Sequence, residues 1–116
     1  MIKNVKSNEI AIIIPTKDRL IQLEALLNSL EAQRDQIGQI IIADGGKNAR
    51  TIVLKFKQVL PVIYIDCPVK GQIAQRNYAL TYVKKNYKLI AYLDDDLQLD
   101  KLAFRKILDY YNSFSK

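Results

Sequence analysis

Four short apolar runs recur along the chain, with polar segments between them. They lie at residues 10–14, 40–43, 62–65 and 89–93, and they are continuous rather than alternating and rich in isoleucine. This pattern is typical of strands that are buried on both faces of a parallel sheet. We therefore predict four parallel strands.

Apolar residues at helical spacing follow each of these runs. A weaker series lies between residues 48 and 59, ahead of Pro61. The clearer series comprise Leu20, Leu23, Leu26, Leu27 and Leu30; Ile73, Leu80 and Val83, with Ala74 and Ala79; and Leu99, Leu102, Ala103, Ile107, Tyr110, Tyr111 and Phe114. This alternation predicts one α/β domain over residues 1–116, a Rossmann-like open parallel sheet with helices on both faces.

The most conspicuous polar residues follow the ends of the predicted strands. Residues 15–19 follow the first strand, 44–47 the second, 70–71 the third and 94–96 the fourth. In an open α/β sheet, ligands bind at this edge, where the strand order reverses. The sequence therefore predicts a binding site there.

The charge balance and the residue types restrict the ligands of such a site. The chain has 18 Lys and Arg against 12 Asp and Glu, a net charge of +6. Basic side chains suit phosphorylated ligands, but these are scattered, so we expect no nucleic-acid partner. The chain has no histidine and one cysteine, Cys67, which we interpret as an apolar filler. A bound metal would therefore need oxygen ligands, which favours Mg²⁺ or Mn²⁺.

The same composition bears on location. No apolar run is long enough for a membrane span or for the core of a signal peptide. A single cysteine allows no disulfide framework within the chain, which fits a reducing compartment. We therefore expect a cytoplasmic protein.

Three adjacent aspartates, Asp94, Asp95 and Asp96, are the strongest signal for chemistry. Adjacent carboxylates repel one another unless a cation lies nearby. An Asp-x-Asp pair at a strand end can offer oxygen atoms to a divalent ion that also binds substrate phosphates. Alternatively, Asp95 or Asp96 caps the helix predicted from Leu99, although Asp100 could take that role.

Two other acidic residues allow two interpretations each. Asp44 could accept a hydrogen bond from a base or ribose, with Gly45 and Gly46 allowing close approach of the ligand. It could also belong to an ordinary turn. Asp18 is either a ligand contact or the cap of the first helix.

Arg76 and Asn77 lie near the amino end of the third predicted helix. Helix amino ends favour phosphate, and an arginine can bind it with two hydrogen bonds. Alternatively, both are ordinary polar residues that face solvent, which is common.

Other nucleotide-binding folds are disfavoured by the same loops. No Gly-x-Gly-x-x-Gly follows the first strand, and no Walker-type loop is present. A phosphate-receiver domain would have its acidic residues after the first and third strands, whereas here they follow the second and fourth. A sugar nucleotidyltransferase would need a glycine-rich loop with Arg and Lys, which residues 15–19 do not supply.

Five segments, in order, resemble motifs of the inverting family 2 glycosyltransferases with the GT-A fold. Residues 12–19 are similar to "IIPT-x-[ND]-R", and residues 26–33 match "LLxSLxxQ". Residues 41–46 resemble "VVDDGS" or "VDGGS", residues 71–77 resemble "GxxxARN", and residues 92–96 resemble "FLDxDD". The likeness runs from about residue 10 to residue 100. We expect the sheet order 3-2-1-4, with residues 16–19 against residues 94–96.

The resemblance implies a donor site for a nucleoside diphosphate sugar, with uridine as the base. Pro15, Thr16 and Asp18 would border the nucleoside, and Asp44 the base. The metal ligands would be Asp94 and Asp96. The full set of donor contacts comprises Pro15, Thr16, Asp18, Arg19, Asp44, Gly45, Gly71, Arg76, Asn77, Asp94 and Asp95.

Two departures from the family pattern limit what this chain is expected to do. Residues 47–50 replace the usual "S-T-D-x" at the rim of the base pocket. The acceptor half, with the general base, is expected to be missing, so the chain should bind a donor but be inactive alone. The alternatives are a non-catalytic nucleotide-binding or scaffolding module, or a sugar nucleotidyltransferase-like domain.

A missing half would also leave the strand at residues 89–93 as an exposed edge, beside Tyr110, Tyr111 and Phe114 on the last helix. The strand contains no charge or proline that would block pairing with another chain. We therefore expect a homodimer through this side.

Overall fold

The four apolar runs form a parallel sheet in the computed structural model, which describes residues 10–83, 87–100 and 102–113. The strands are β1 (Ile10–Thr16), β2 (Gln39–Asp44), β3 (Val62–Asp66) and β4 (Leu89–Tyr92). Their order is β3-β2-β1-β4, as predicted, and every neighbouring pair is parallel. The carboxyl ends of all four strands therefore lie at one edge of the sheet.

Helices cover both faces of this sheet, which confirms the predicted fold class. They are α1 (Leu20–Glu31), α2 (Ala49–Phe56), α3 (Gln72–Leu80) and α4 (Ala103–Ser113), with an unpredicted 3-10 helix at Arg34–Gln36. The larger core joins α1, α2 and α4 to one face, and the smaller core joins α3 to the other. Within the described residues, no helix combines the length and apolar character that a bilayer crossing requires.

The two central strands, β1 and β2, are buried throughout. Ile12 and Ile40 contribute to the larger core, whereas Ile13 and Ile41 contribute to the smaller one. Burial of one isoleucine side chain contributes about 1.5–3 kcal/mol. These strands are the rigid centre from which the strand-end loops extend.

The prediction of burial on both faces is wrong for β4. Ile90 and Tyr92 are 40% and 42% exposed. They pair with Ala11 and Ile13, so they lie on the face that α3 covers. Since α3 packs mainly over β1 and β2, with Arg76 reaching over Tyr92, that face of β4 is covered in part.

The predicted apolar stripe of α3 is wrong for Ile73 and Leu80, although its Ala79 is buried and its Val83 packs against the smaller core. Ile73 is 71% exposed and Leu80 is 39% exposed, and the residues that α3 buries are Gln75 and Ala79. The small alanine side chain lets the helix approach the sheet closely. The buried glutamine has a different role, which follows from its hydrogen bonds.

In α4 the buried residues are Phe104 and Leu108, four positions apart on one face, while Ile107 and Tyr110 are exposed. The helix begins at Ala103 rather than near residue 99. Phe114 and the side chain of Tyr111 lie outside the described part of the structure.

Cys67 follows β3 and is buried in the smaller core beside Ile65 and Ala79. Burial, and then the charges of Asp44 and Asp66, raise the pKa of the Cys67 thiol to about 11. The thiolate is the reactive form of cysteine, so this thiol should be inert near neutral pH. The filler interpretation agrees with this environment.

Alkylation with iodoacetamide at pH 8 tests this environment. We expect Cys67 to react at least ~10-fold more slowly in the native protein than in urea, because the thiol is both covered and protonated. Mass spectrometry follows the reaction, and Cys67→Ser gives the background. Equal rates in the two conditions would contradict the buried placement.

Candidate functional site

The turn after β1 lies against the acidic turn after β4, as the sequence predicts. The Thr16 hydroxyl donates a 2.9 Å hydrogen bond to Asp95 Oδ2. Arg19 Nε lies 3.5 Å from Asp95 Oδ1, and Arg19 Nη2 lies 3.5 Å from Asp96 Oδ2. A hydroxyl and a guanidinium from one turn therefore contact two carboxylates of the other, and the single positive charge of Arg19 offsets part of their negative charge.

The three aspartates have different surroundings. Asp95 is buried, whereas the side chains of Asp94 and Asp96 are 54% and 53% exposed. Asp94 Oδ1 accepts a 2.6 Å hydrogen bond from Gln72 Nε2, and Arg76 Nη2 lies 3.9 Å away. Because α4 begins only at residue 103, the interpretation of Asp95 or Asp96 as its cap is wrong.

Asp44, at the end of β2, is fully buried and its carboxylate is engaged by its own chain. It accepts hydrogen bonds from Gly46 N at 2.8 Å, from Ala49 N at 3.3 Å and from the Tyr64 hydroxyl at 2.7 Å. Burial, together with the bond to Asp44, raises the pKa of Tyr64 well above its usual range, so the phenol remains a donor. Asp44 thus fixes the glycine loop and the start of α2, and its contact with a base stays a prediction.

Asp18 does not cap α1. The N-cap residue is Arg19, and no side chain forms a cap hydrogen bond there. Asp18 has a φ of 55°, in the left-handed region that few non-glycine residues adopt. Its carboxylate lies over Gly46, where a Cβ atom would collide with Asp18 Oδ1. The loops after β1 and β2 are therefore in close contact.

Two pockets of about 360 and 380 Å³ lie along this edge of the sheet. The first brings together the predicted Pro15, Thr16, Arg19, Gly71 and Asp95. The second brings together the predicted Asp18 and Gly45 with Gly46, Lys47, Asn48, Asp66, Cys67 and Lys70. Lys17, which the sequence analysis did not single out, lines both pockets.

The other predicted residues lie outside the lining of these two pockets. Arg76 stacks over the Tyr92 ring, with 5.3 Å between Cζ and the ring centroid. Its Nε atom is buried without a hydrogen-bond partner among the described residues. Asn77 is exposed, and Asp94 and Asp96 lie on the turn beside the first pocket.

Sequence reasoning missed Gln75, which is 3% exposed and lines the first pocket. Its Nε2 donates to Thr16 O at 2.9 Å and to Ala43 O at 2.8 Å, and its Oε1 accepts from Gly71 N at 3.1 Å. The only signal in the sequence was a glutamine at the alanine position of the "GxxxARN" motif.

The oxygen atoms that a metal could use belong to the half-exposed Asp94 and Asp96. Among the described residues, no group of three or more Asp, Glu, Cys or His side chains is placed to hold an ion. Mg²⁺ is commonly bound by one or two carboxylates together with substrate phosphates, and this donor set fits that mode.

Solved structures share this fold. TarS of S. aureus, residues 1–349, has a TM-score of 0.79 at 20% identity, over 90% of this chain and 32% of that one. A longer S. aureus TarS structure gives 0.77 at 19% identity, over 90% and 19%. The mannosyltransferase PcManGT from Pyrobaculum calidifontis, solved with GDP-Man and Mn²⁺, gives 0.74 at 14% identity, over 100% and 36%. This likeness shows the GT-A fold, and the chain spans between 19% and 36% of the length of these structures.

The sequence comparisons bear on the family. No curated protein sequence matches the chain. The family model for Glycosyl transferase family 2 matches residues 11–115, nearly all of the chain. The chain therefore belongs to glycosyl transferase family 2.

Proposed function

We propose that the two pockets bind a nucleoside diphosphate sugar, with uridine as the base, as the donor for inverting glycosyl transfer. The observation that carries the proposal is the contact between residues 16–19 and residues 94–96 in a family 2 chain. That contact brings cationic and anionic groups together beside pockets that share Lys17.

The charges suggest how the donor lies. Lys17 and Arg19 line the first pocket and would balance the diphosphate. The second pocket, which Gly45 and Gly46 help to line, would take the nucleoside. The space directly beside these two glycines is occupied by Gln75 and Asp18, so they do not admit the ligand to the backbone in the way the sequence suggested. Residues 47–50, which differ from the family pattern, would form part of its rim.

Asp94 and Asp96 would hold Mg²⁺ or Mn²⁺ together with oxygen atoms of the diphosphate. When bound, such an ion supplies Lewis acidity that stabilises the leaving nucleotide. Arg19, which lines the first pocket, lies 3.5 Å from Asp96, so this carboxylate is adjacent to the proposed diphosphate site.

In the proposed reaction an acceptor hydroxyl oxygen bonds to the anomeric carbon while the bond from that carbon to the diphosphate breaks. The hydroxyl proton passes to a general base, and the anomeric configuration inverts. None of the site residues described above is assigned as that base. Transfer is therefore proposed for the whole protein, in the cytoplasm, and donor binding for this chain.

Isothermal titration with UDP, UDP-sugars and GDP-sugars, each with Mn²⁺ or with EDTA, tests the donor site. We expect UDP ligands to bind at least ~10-fold more tightly with Mn²⁺, because the ion needs ligand phosphates to complete its coordination. Asp96→Ala should remove this difference. Asp35→Ala, an exposed aspartate ahead of β2 at the opposite edge, is the matched control.

Two outcomes of this titration would count against the proposal in different ways. Equal UDP affinity in Mn²⁺ and EDTA would reject the metal assignment. Tighter binding of GDP-sugars than of UDP-sugars would reject uridine and leave the donor site in place.

We also propose that two copies of the chain associate through β4. Its Ile90 and Tyr92 side chains are 40% and 42% exposed, and β4 ends the described sheet. On α4, two further apolar residues are exposed, Ile107 at 49% and Tyr110 at 70%. Strand edges of this kind pair readily with another chain.

Light scattering over a range of concentrations tests this association. We expect a dimer that Ile90→Lys converts to a monomer, because a charge on the edge strand opposes pairing. Ile21→Lys on α1 introduces the same charge at an 84% exposed isoleucine and should leave the dimer intact. A wild-type monomer at the highest concentration would contradict the proposal.

A further inference from the structure

We propose that Gln75 is a positioning residue that fixes the Gly71 turn against the ends of β1 and β2 and so sets the shape of the first pocket. The inference rests on the proposed donor site. It concerns a residue that departs from the family motif, which has alanine at this position.

The hydrogen bonds of the Gln75 side chain join three separate parts of the chain. Nε2 donates both of its hydrogens, to Thr16 O at the end of β1 and to Ala43 O near the end of β2. Oε1 accepts from Gly71 N, just ahead of α3. Gln75 as a whole is 3% exposed, so water cannot readily replace these partners.

Gly45 makes room for this arrangement. A Cβ atom at Gly45 would lie 2.6 Å from Gln75 Oε1 and 2.9 Å from Cδ. Gly45 N also donates to Thr16 O, the same oxygen that Gln75 uses. The glycine after β2 and the glutamine on α3 are therefore complementary in size and share one acceptor.

These hydrogen bonds set the shape of the first pocket because the residues they join, Thr16, Gln75 and Gly71, all line it. Thr16, Gly71, Gln72 and Gln75 form part of the first pocket. Gly71 has a φ of 109°. Glycine adopts this backbone angle readily but adopts others as readily, so the residue type alone does not hold the turn in one conformation. Without the glutamine amide, the Gly71 turn would lose its bond to the strand ends.

Two variants separate hydrogen bonding from packing. Gln75→Met has nearly the same length but cannot donate to the two carbonyl oxygens. Gln75→Glu places an acceptor against them at neutral pH, and its protonated form can donate to one of them again. As the pH falls below about 6, the defect of Gln75→Glu should therefore lessen, because burial raises the pKa of a glutamate. The defect of Gln75→Met should not change with pH, because methionine has no group that titrates.

Amide hydrogen exchange measures the link without any ligand. We expect the Gly71 amide to exchange at least ~10-fold faster in Gln75→Met than in the wild type, because the hydrogen bond from Gly71 N to Gln75 Oε1 is lost; tenfold corresponds to about 1.4 kcal/mol. Gly38 N, which bonds to Ile10 O at the opposite edge, is the control amide.

Titration with UDP and Mn²⁺ at 20 °C measures the consequence for the pocket. Only variants whose melting curves show them to be folded at this temperature are compared. We expect Gln75→Met to weaken binding by about tenfold, as loss of a positioning contact does. Gly45→Ala should weaken it similarly. The double variant Gly45→Ala/Gln75→Ala should lose no more than Gln75→Ala, since the smaller side chain admits the new methyl group.

The outcomes distinguish this proposal from the donor site itself. If the wild type binds no nucleotide, the proposed function fails, and the exchange rate of Gly71 alone decides whether Gln75 holds the turn. An unchanged exchange rate of the Gly71 amide in Gln75→Met would contradict the proposal that Gln75 fixes the Gly71 turn. Faster Gly71 exchange with unchanged UDP affinity, or a defect in Gln75→Glu that does not depend on pH, would reduce Gln75 to a purely structural role.

Discussion

The parallel pairing of β1 with β2 on one side and with β4 on the other is the constraint on which the rest of the structure depends. Parallel strands end at one edge, so the loops that follow them must share that edge and satisfy one another's polar groups. Thr16, at the end of β1, shows this directly. Its hydroxyl donates a hydrogen bond to Asp95 in the turn after β4. Its carbonyl oxygen accepts hydrogen bonds from Gly45 N in the loop after β2 and from the side chain of Gln75.

The acidic turn shows how three adjacent carboxylates are accommodated at this edge. Asp94 accepts a hydrogen bond from Gln72 on α3, Asp95 accepts one from the Thr16 hydroxyl, and Asp96 lies beside Arg19. One arginine lies between two of the carboxylates and reduces their repulsion. The turn is consequently ordered by its own chain, and its outer oxygen atoms still face solvent.

Much of the fold could be predicted from the sequence, because it depends on continuous apolar runs and on segments of family motif. Strand order and the contact between residues 16–19 and 94–96 belong to this part. The buried face of α3 could not be predicted, because Gln75 is buried to reach carbonyl oxygens 59 and 32 residues away, which no local periodicity reveals. Similarly, the spacing around Asp44 gave no sign that Tyr64 and two backbone amides would occupy its carboxylate.

The left-handed backbone at residue 18 gives a physical reason for one letter of the opening motif. Asparagine and aspartate are the residues other than glycine that most readily adopt this conformation, because their short polar side chains hydrogen-bond locally. The alternatives in "IIPT-x-[ND]-R" are these same two residues. The preference for asparagine or aspartate at position 18 is therefore explained by the backbone conformation as well as by ligand binding. Since the side chain of Asp18 lies over Gly46, a side chain at position 46 would force Asp18 to move.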